Sequence, residues 1–205
     1  MPEPSKLSSK PVIALDMDEV LYPFAERIFG HYSEVENSEI DYTTLDDYHS
    51  FHKLWGINEF ETLERVVDFF ATDSHDLALP IDGSVAALNR LQTQFRIIIV
   101  TARQHIAECA TRDWLSTHYG GPIEDVYFCN FFSIDGTPPI SKSSICLAED
   151  AWLFVDDSPR NVDQVADSGV HSLLFGEYTW NQQQSPRHRR IGNWVELEAY
   201  INEHL

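Results

Sequence analysis

Basic residues are scarce in this chain. Its 205 residues include 14 lysines and arginines against 33 aspartates and glutamates, a formal net charge of -19 at pH 7. Nucleic-acid polymers and anionic membranes are bound through basic patches, so neither is expected as a general partner. An anionic ligand would need a locally positive pocket. Cysteine is sparse too. Cys109, Cys129 and Cys146 are far apart and odd in number. They form neither a disulfide framework nor a CxxC metal pattern, which points to a reducing cytoplasm. No apolar run approaches the roughly 20 residues that cross a bilayer. The opening, 1–10, is polar, with neither the apolar core of a signal peptide nor the arginines of a transit peptide, and reads as a flexible tail. Repeats are absent, and the one biased run is Gln182-Gln183-Gln184.

What is present is enough apolar material for a core, 43% hydrophobic and 12% aromatic. The length suits one domain, or one domain carrying an insertion. Short apolar runs predict buried parallel strands at 12–15, 96–100 and 152–155, with weaker ones at 125–129 and 171–175. Helical patterns fall between them, at 84–94, 106–118 and 161–168, and a last helix is expected over 194–204. Strands alternating with helices imply parallel β-α-β units. The stretch 22–79 breaks this rhythm. It is aromatic and acidic, holds no convincing strand, and carries a predicted helix at 57–70 with Asn58 as its cap. The expected architecture is α/β: a Rossmann-like three-layer parallel-sheet core, 11–21 and 80–205, with a small helical cap inserted at 22–79.

The most informative residues are Asp16 and Asp18, where the first apolar run ends in two carboxylates one residue apart. Open α/β sheets bind ligands at the carboxyl ends of their strands. Two acids there repel and lose solvation, so they call for a counter-cation or a shared proton. Oxygen ligands suit magnesium. The other strong strands also end in polar chemistry, one in Thr101-Ala102-Arg103 and one in Asp156-Asp157-Ser158-Pro159. Lys142, one of four lysines, lies in the loop region before the last of these. If the strands are parallel, one edge gathers four carboxylates, a hydroxyl and an ammonium.

This order resembles the haloacid dehalogenase (HAD) superfamily of phosphotransferases, whose pattern is DxDx(T/V), a strand-end Ser or Thr, a Lys or Arg, and a terminal acidic pair. The matching residues are Asp16-Met17-Asp18-Glu19-Val20, Thr101, Lys142 and Asp156-Asp157. The resemblance implies Asp16 as nucleophile, forming an aspartyl-phosphate. It implies Asp18 as general acid and base; an acid in that role needs a raised pKa, which crowding by other carboxylates can supply. Mg2+ would be held by Asp16, the Asp18 carbonyl and Asp157, with Asp156 acting through water or orienting a ligand. Thr101, the main chain around Ala102, and Lys142 would bind the phosphoryl oxygens. Glu19 departs from the pattern, which commonly has Gly there; its side chain is expected to point away from the phosphoryl group.

Among HAD proteins the chain looks most like the 5'(3')-deoxyribonucleotidases, through Asp16-Met17-Asp18-x-Val20-Leu21, Phe69-Phe70, the short gap from Lys142 to Asp156, and Arg189-Arg190-Ile191-Gly192-Asn193-Trp194. That resemblance implies a small phosphorylated substrate whose base stacks on cap aromatics, with Phe24, Trp55, Phe69 and Phe70 as candidates. Packing inside the cap is the competing role for each of them. The alternatives are a phosphatase of another small ester such as a sugar phosphate, a receiver-type signalling module, and a HAD-like pseudoenzyme. The cluster Arg187-His188-Arg189-Arg190 reads as a surface loop. Oligomeric state has no signature in the sequence.

Overall fold

A computed structural model describes residues 10–131, 136–182 and 188–204. The tail 1–9, Gln183, Gln184 and Arg187 lie outside the described residues. Six strands form one parallel sheet: β1 (Val12–Leu15), β2 (Arg96–Thr101), β3 (Ile123–Phe128), β4 (Ala151–Asp156), β5 (Ser172–Phe175) and β6 (Arg190–Ile191), in the order β3-β2-β1-β4-β5-β6. β1 is central, and every one of its residues is buried. Leu15 lies opposite both Ile99 of β2 and Val155 of β4, so the three strands end nearly level. Chain order reverses around β1, which makes its carboxyl end the topological switch point where α/β sheets bind ligands.

Four helices separate β1 from the rest of the core: α1 (Phe24–Glu36), α2 (Phe51–Trp55), α3 (Glu59–Phe69) and α4 (Asp73–Asp76). No strand occurs between them among the described residues. Asn58 caps α3 as expected, in a reciprocal box with Glu61: Asn58 Oδ1 accepts from the Glu61 amide at 2.9 Å, and Glu61 Oε2 accepts from the Asn58 amide at 3.1 Å. The core helices follow as α5 (Ser84–Leu91), α6 (Glu108–Tyr119), α7 (Lys142–Ala148), α8 (Pro159–Asp167) and α9 (Trp194–Glu203). No helix among the described residues is long and apolar enough to cross a membrane.

The sheet is covered on both faces, which is why its strands are apolar throughout rather than alternating. Ile13, Leu15, Ile97, Ile99, Leu153 and Val155 join a cluster with side chains of α5, α6 and α9, while Ala14, Ile98, Val100 and Phe154 pack with Ile145 of α7 and Val165 of α8. Two tryptophans tie the segment between β1 and α5 to this core. Trp194 of α9 donates to the Val20 carbonyl at 2.9 Å, and Trp114 of α6 donates to the Ala78 carbonyl at 2.8 Å. Both ends of the segment are therefore pinned by buried indoles, each with its N–H satisfied.

The three-layer α/β architecture is the expected one. β6, α1, α2, α4 and α7 have no counterpart in the sequence expectations. β6 is a two-residue strand, too short to show a period, and α2, α4 and α7 are seven residues or fewer. Lys142, expected in a loop, is the first residue of α7, which Ser141 caps by accepting from the Ser144 amide at 3.1 Å. A cation in the first turn opposes the helix dipole by about 0.3–1 kcal/mol. The contacts of its ammonium at the sheet edge outweigh that cost.

Candidate active site

Asp16 follows β1, Asp156 ends β4, and Asp157 follows it; all three side chains are buried. Among the described residues they form one group whose carboxylate oxygens lie within 4.8 Å of one another. The Lys142 ammonium, buried, stands 2.7 Å from Asp16 Oδ1 and 2.7 Å from Asp156 Oδ2. Asp156 also accepts from the Ser158 amide at 2.8 Å and from Asn161 Nδ2 at 3.1 Å, and Asp16 Oδ1 from the Met17 amide at 2.7 Å. Asp157 Oδ2 accepts from the Trp180 indole at 2.6 Å.

Three buried carboxylates and one ammonium carry a formal charge of -2. The strain appears in the titration of the group. Burial, with Asp156 next in weight, pushes the Asp16 carboxyl up to about 8 despite Lys142. Burial, then Asp156 and Asp16, raises Asp157 well above the carboxylate range. Burial works against the charge of Lys142, but Asp156 and Asp16 outweigh it and raise its pKa. A divalent cation would neutralise the formal charge, and an all-oxygen donor set fits a hard ion such as Mg2+. The residues present therefore fit the expected metal.

Asp18 stands apart from this group. Its ion-pair partner is the cation Arg103, although its charge is still felt by the Asp16 and Glu19 carboxyls. Arg103 Nη2 donates to Asp18 Oδ1 at 2.6 Å, and Arg103 Nε donates to both oxygens at 3.2 Å. Arg103 is buried, gives a further hydrogen bond to Thr111 Oγ1 at 2.8 Å, and lies against the rings of Tyr22 and Phe70, 4.8 and 4.7 Å from their centroids. Arg103 was not singled out from the sequence. Its position directly after Thr101-Ala102 at a strand end is the signal that could have found it.

Thr101, fully buried at the end of β2, accepts from the Arg103 amide at 3.2 Å, and Ala102 lies between them, half-buried. Of the aromatics in the helical segment 22–79, Phe24 and Phe70 stack at 5.8 Å and border Arg103. Phe69 is fully buried among Phe24, His31, Phe70 and His75, inside the helical segment. Trp55 packs on Phe29, Tyr32 and Phe51 in the same interior.

Glu19 adopts a left-handed backbone (φ 62°), which explains why Gly is common there. Its carboxylate is turned to the start of α1, where it accepts from the Ala25 amide at 2.6 Å, and Tyr178 donates to its carbonyl at 2.7 Å. Pro23, the N-cap residue of α1, makes no side-chain cap, and Glu19 supplies one from outside the helix. Burial pushes the Glu19 carboxyl up to about 8. In the basic cluster, Arg190 bonds Asn181 Oδ1 at 2.7 Å and the Gly176 carbonyl, and Arg189 lies over the Tyr200 ring. Burial raises the thiols of Cys129 and Cys146 to about 12, leaving them poor nucleophiles.

An acidic group at the switch point of a parallel sheet, with a lysine across it and a strand-end threonine, defines a HAD-like phosphatase. The family model described as "5' nucleotidase, deoxy (Pyrimidine), cytosolic type C protein" matches residues 10–204, and the chain belongs to that family. No curated protein matches the chain. Solved structures share the fold at low identity. A HAD-like hydrolase from Streptococcus pneumoniae has 12% identity and TM-score 0.68, covering 95% of this chain and 100% of that one. The protein tyrosine kinase A of Mycobacterium tuberculosis has 16% identity and TM-score 0.68, covering 95% and 99%. D,D-heptose 1.7-bisphosphate phosphatase from B. bronchiseptica, complexed with magnesium and phosphate, has 13% identity and TM-score 0.57, again covering 95% and 99%.

Proposed function

We propose that the chain is a magnesium-dependent phosphomonoesterase that works through an aspartyl-phosphate on Asp16 and takes (deoxy)nucleoside monophosphates. The observation that carries this reading is the Lys142 ammonium set between Asp16 and Asp156, with Asp157 in the same 4.8 Å group. Asp16, Asp157 and the Asp18 carbonyl would hold the ion, which would screen the phosphoryl charge and draw in its oxygens. Asp16 supplies the carboxylate that attacks phosphorus. Lys142 holds that carboxylate in place, and with the Thr101 hydroxyl and the main chain at Ala102 it receives the phosphoryl oxygens. Asp18, entering the step protonated, gives its proton to the leaving oxygen as the P–O bond to that oxygen breaks, and the carboxylate so formed takes a proton from the water that attacks the aspartyl-phosphate. For this its carboxylate must leave Arg103, and the phosphate is a competing partner for a guanidinium fork. Segment 22–79 acts as the cap, with Phe24 and Phe70 nearest the reacting groups. The family description and the free thiols support a cytoplasmic setting.

The test is phosphate release from p-nitrophenyl phosphate with and without Mg2+, followed by a panel of nucleoside monophosphates and sugar phosphates. Turnover that needs Mg2+ and disappears in Asp16→Asn is expected. No turnover by the folded wild type would sink the enzyme reading, and a preference for sugar phosphates would sink the nucleotide assignment.

A further inference from the structure

Trp180 sits in a short helical turn, Thr179–Asn181, beyond β5 and far in sequence from the acids. Its indole N–H points at Asp157 Oδ2, 2.6 Å away. The buried indoles of Trp114 and Trp194 instead bond main-chain carbonyls. The adjoining Asn181 Nδ2 donates to the Asp157 carbonyl and to the Phe175 carbonyl, both at 3.0 Å, so one turn holds Asp157 by main chain and side chain together. The same turn reaches the first motif. Trp180 stacks flat on Tyr178, with centroids 4.7 Å apart and planes at 3°, and the Tyr178 hydroxyl bonds the Glu19 carbonyl. The turn depends on Gly176: at φ 78°, a Cβ there would meet the Tyr178 ring at 2.2 Å.

The other two acids are held differently. Asp16 and Asp156 share Lys142, whereas the bond to the Asp157 carboxylate comes from a neutral donor. From this arrangement we infer that Trp180 is a positioning residue for the metal: its N–H occupies Oδ2 and fixes the rotation of the Asp157 carboxylate, leaving the other oxygen for the ion. The inference rests on the magnesium reading above. A carboxylate ligand whose outer hydrogen bond is removed typically loses about 10- to 100-fold in metal affinity.

The deciding measurement is Mg2+ binding by calorimetry without substrate, on wild type, Trp180→Phe and Asp157→Asn. Trp180→Phe keeps a ring against Tyr178 and removes the N–H donor along with part of the indole; the melting temperature reports that packing loss separately from Mg2+ affinity. About tenfold weaker Mg2+ binding is expected, with the melting temperature in EDTA close to wild type and turnover recovered by raising Mg2+. Binding within threefold of wild type overturns the positioning role, and so does a lower melting temperature with Mg2+ affinity unchanged. If the wild type binds no Mg2+, the metal reading itself fails, which is a distinguishable result. A second readout needs no variant. The chain has five tryptophans. Titrating the 15N-labelled wild type with Mg2+ should move one indole N–H resonance with the calorimetric midpoint, and five unmoved indoles would overturn the inference even if Trp180→Phe failed to fold.

Discussion

Arg103 grips Asp18 through two nitrogens, Nη2 at 2.6 Å and Nε at 3.2 Å, while its guanidinium lies against Tyr22 and Phe70. The pair joins the end of β2 to the loop after β1, and Phe70 adds the far end of the helical segment. Arg103→Met removes one partner of a largely buried ion pair, a change that costs about 3–5 kcal/mol where burial is complete. With the Asp18 side chain 17% exposed, a loss near the lower end, about 3 kcal/mol, is expected in urea unfolding. Arg103→Lys should recover little of it, because an ammonium lacks the fork and stacks poorly on rings. Full recovery by Lys would show that charge alone matters.

Glu19 sets two effects against each other. Its left-handed backbone favours glycine by about 1 kcal/mol, and its carboxylate caps α1 at Ala25, worth about 1–2 kcal/mol. Glu19→Gly loses the cap and relieves the backbone, so it should lie within about 1 kcal/mol of wild type. Glu19→Ala loses the cap and keeps the strain, and should be less stable than Glu19→Gly by about 1 kcal/mol. Thermal melts of the two variants give the ordering; the reverse order would reject this account of the residue.

Mg2+ should stabilise the fold, because the acids of the site repel one another. A ligand in roughly hundredfold excess over its dissociation constant adds about 2.7 kcal/mol. The melting temperature should rise with Mg2+, fall back with EDTA, and show no such rise in Asp157→Asn. Equal melting temperatures of the wild type in Mg2+ and EDTA would count against the metal centre.

His75 is fully buried against Tyr22, Phe69 and Phe70, and burial, with the charge of Arg103, lowers its pKa below the ordinary 6.5. The folded chain therefore resists a proton that the unfolded chain accepts. This contribution to stability is intact above pH 6.5 and is lost as pH falls from there towards the lowered value. His75→Phe should flatten the fall in unfolding free energy as the pH drops below 6.5. An unchanged slope would place the acid sensitivity at other groups.

How much of this was legible in the chain depends on range. β1, β2 and β4 are runs buried on both faces, and such runs must be apolar whatever surrounds them, so their places and the polar residues ending them could be read directly. Asn58 was legible as a cap because its bond is closed within one turn, while the reciprocal bond from Glu61 came only with the structure. Phe69 and Phe70 could not be told apart. Adjacent residues point in different directions, and only the packing shows that Phe70 borders Arg103 while Phe69 is enclosed. Glu19 was legible as an anomaly but not as a cap, because its partner Ala25 comes within reach only when the loop folds back.

Local pattern thus determines that this chain builds a parallel sheet with Asp16, Thr101 and Asp156 at its strand ends, because burial period and strand-end polarity are properties of neighbouring residues. It leaves open which groups share a charge. That Lys142 falls between Asp16 and Asp156, that Arg103 pairs with Asp18, and that Trp180 reaches Asp157 are products of strand order and helix packing. Electrostatics and hydrogen bonding act over a few ångströms, and residues 14 to 126 positions apart come that close only through the fold.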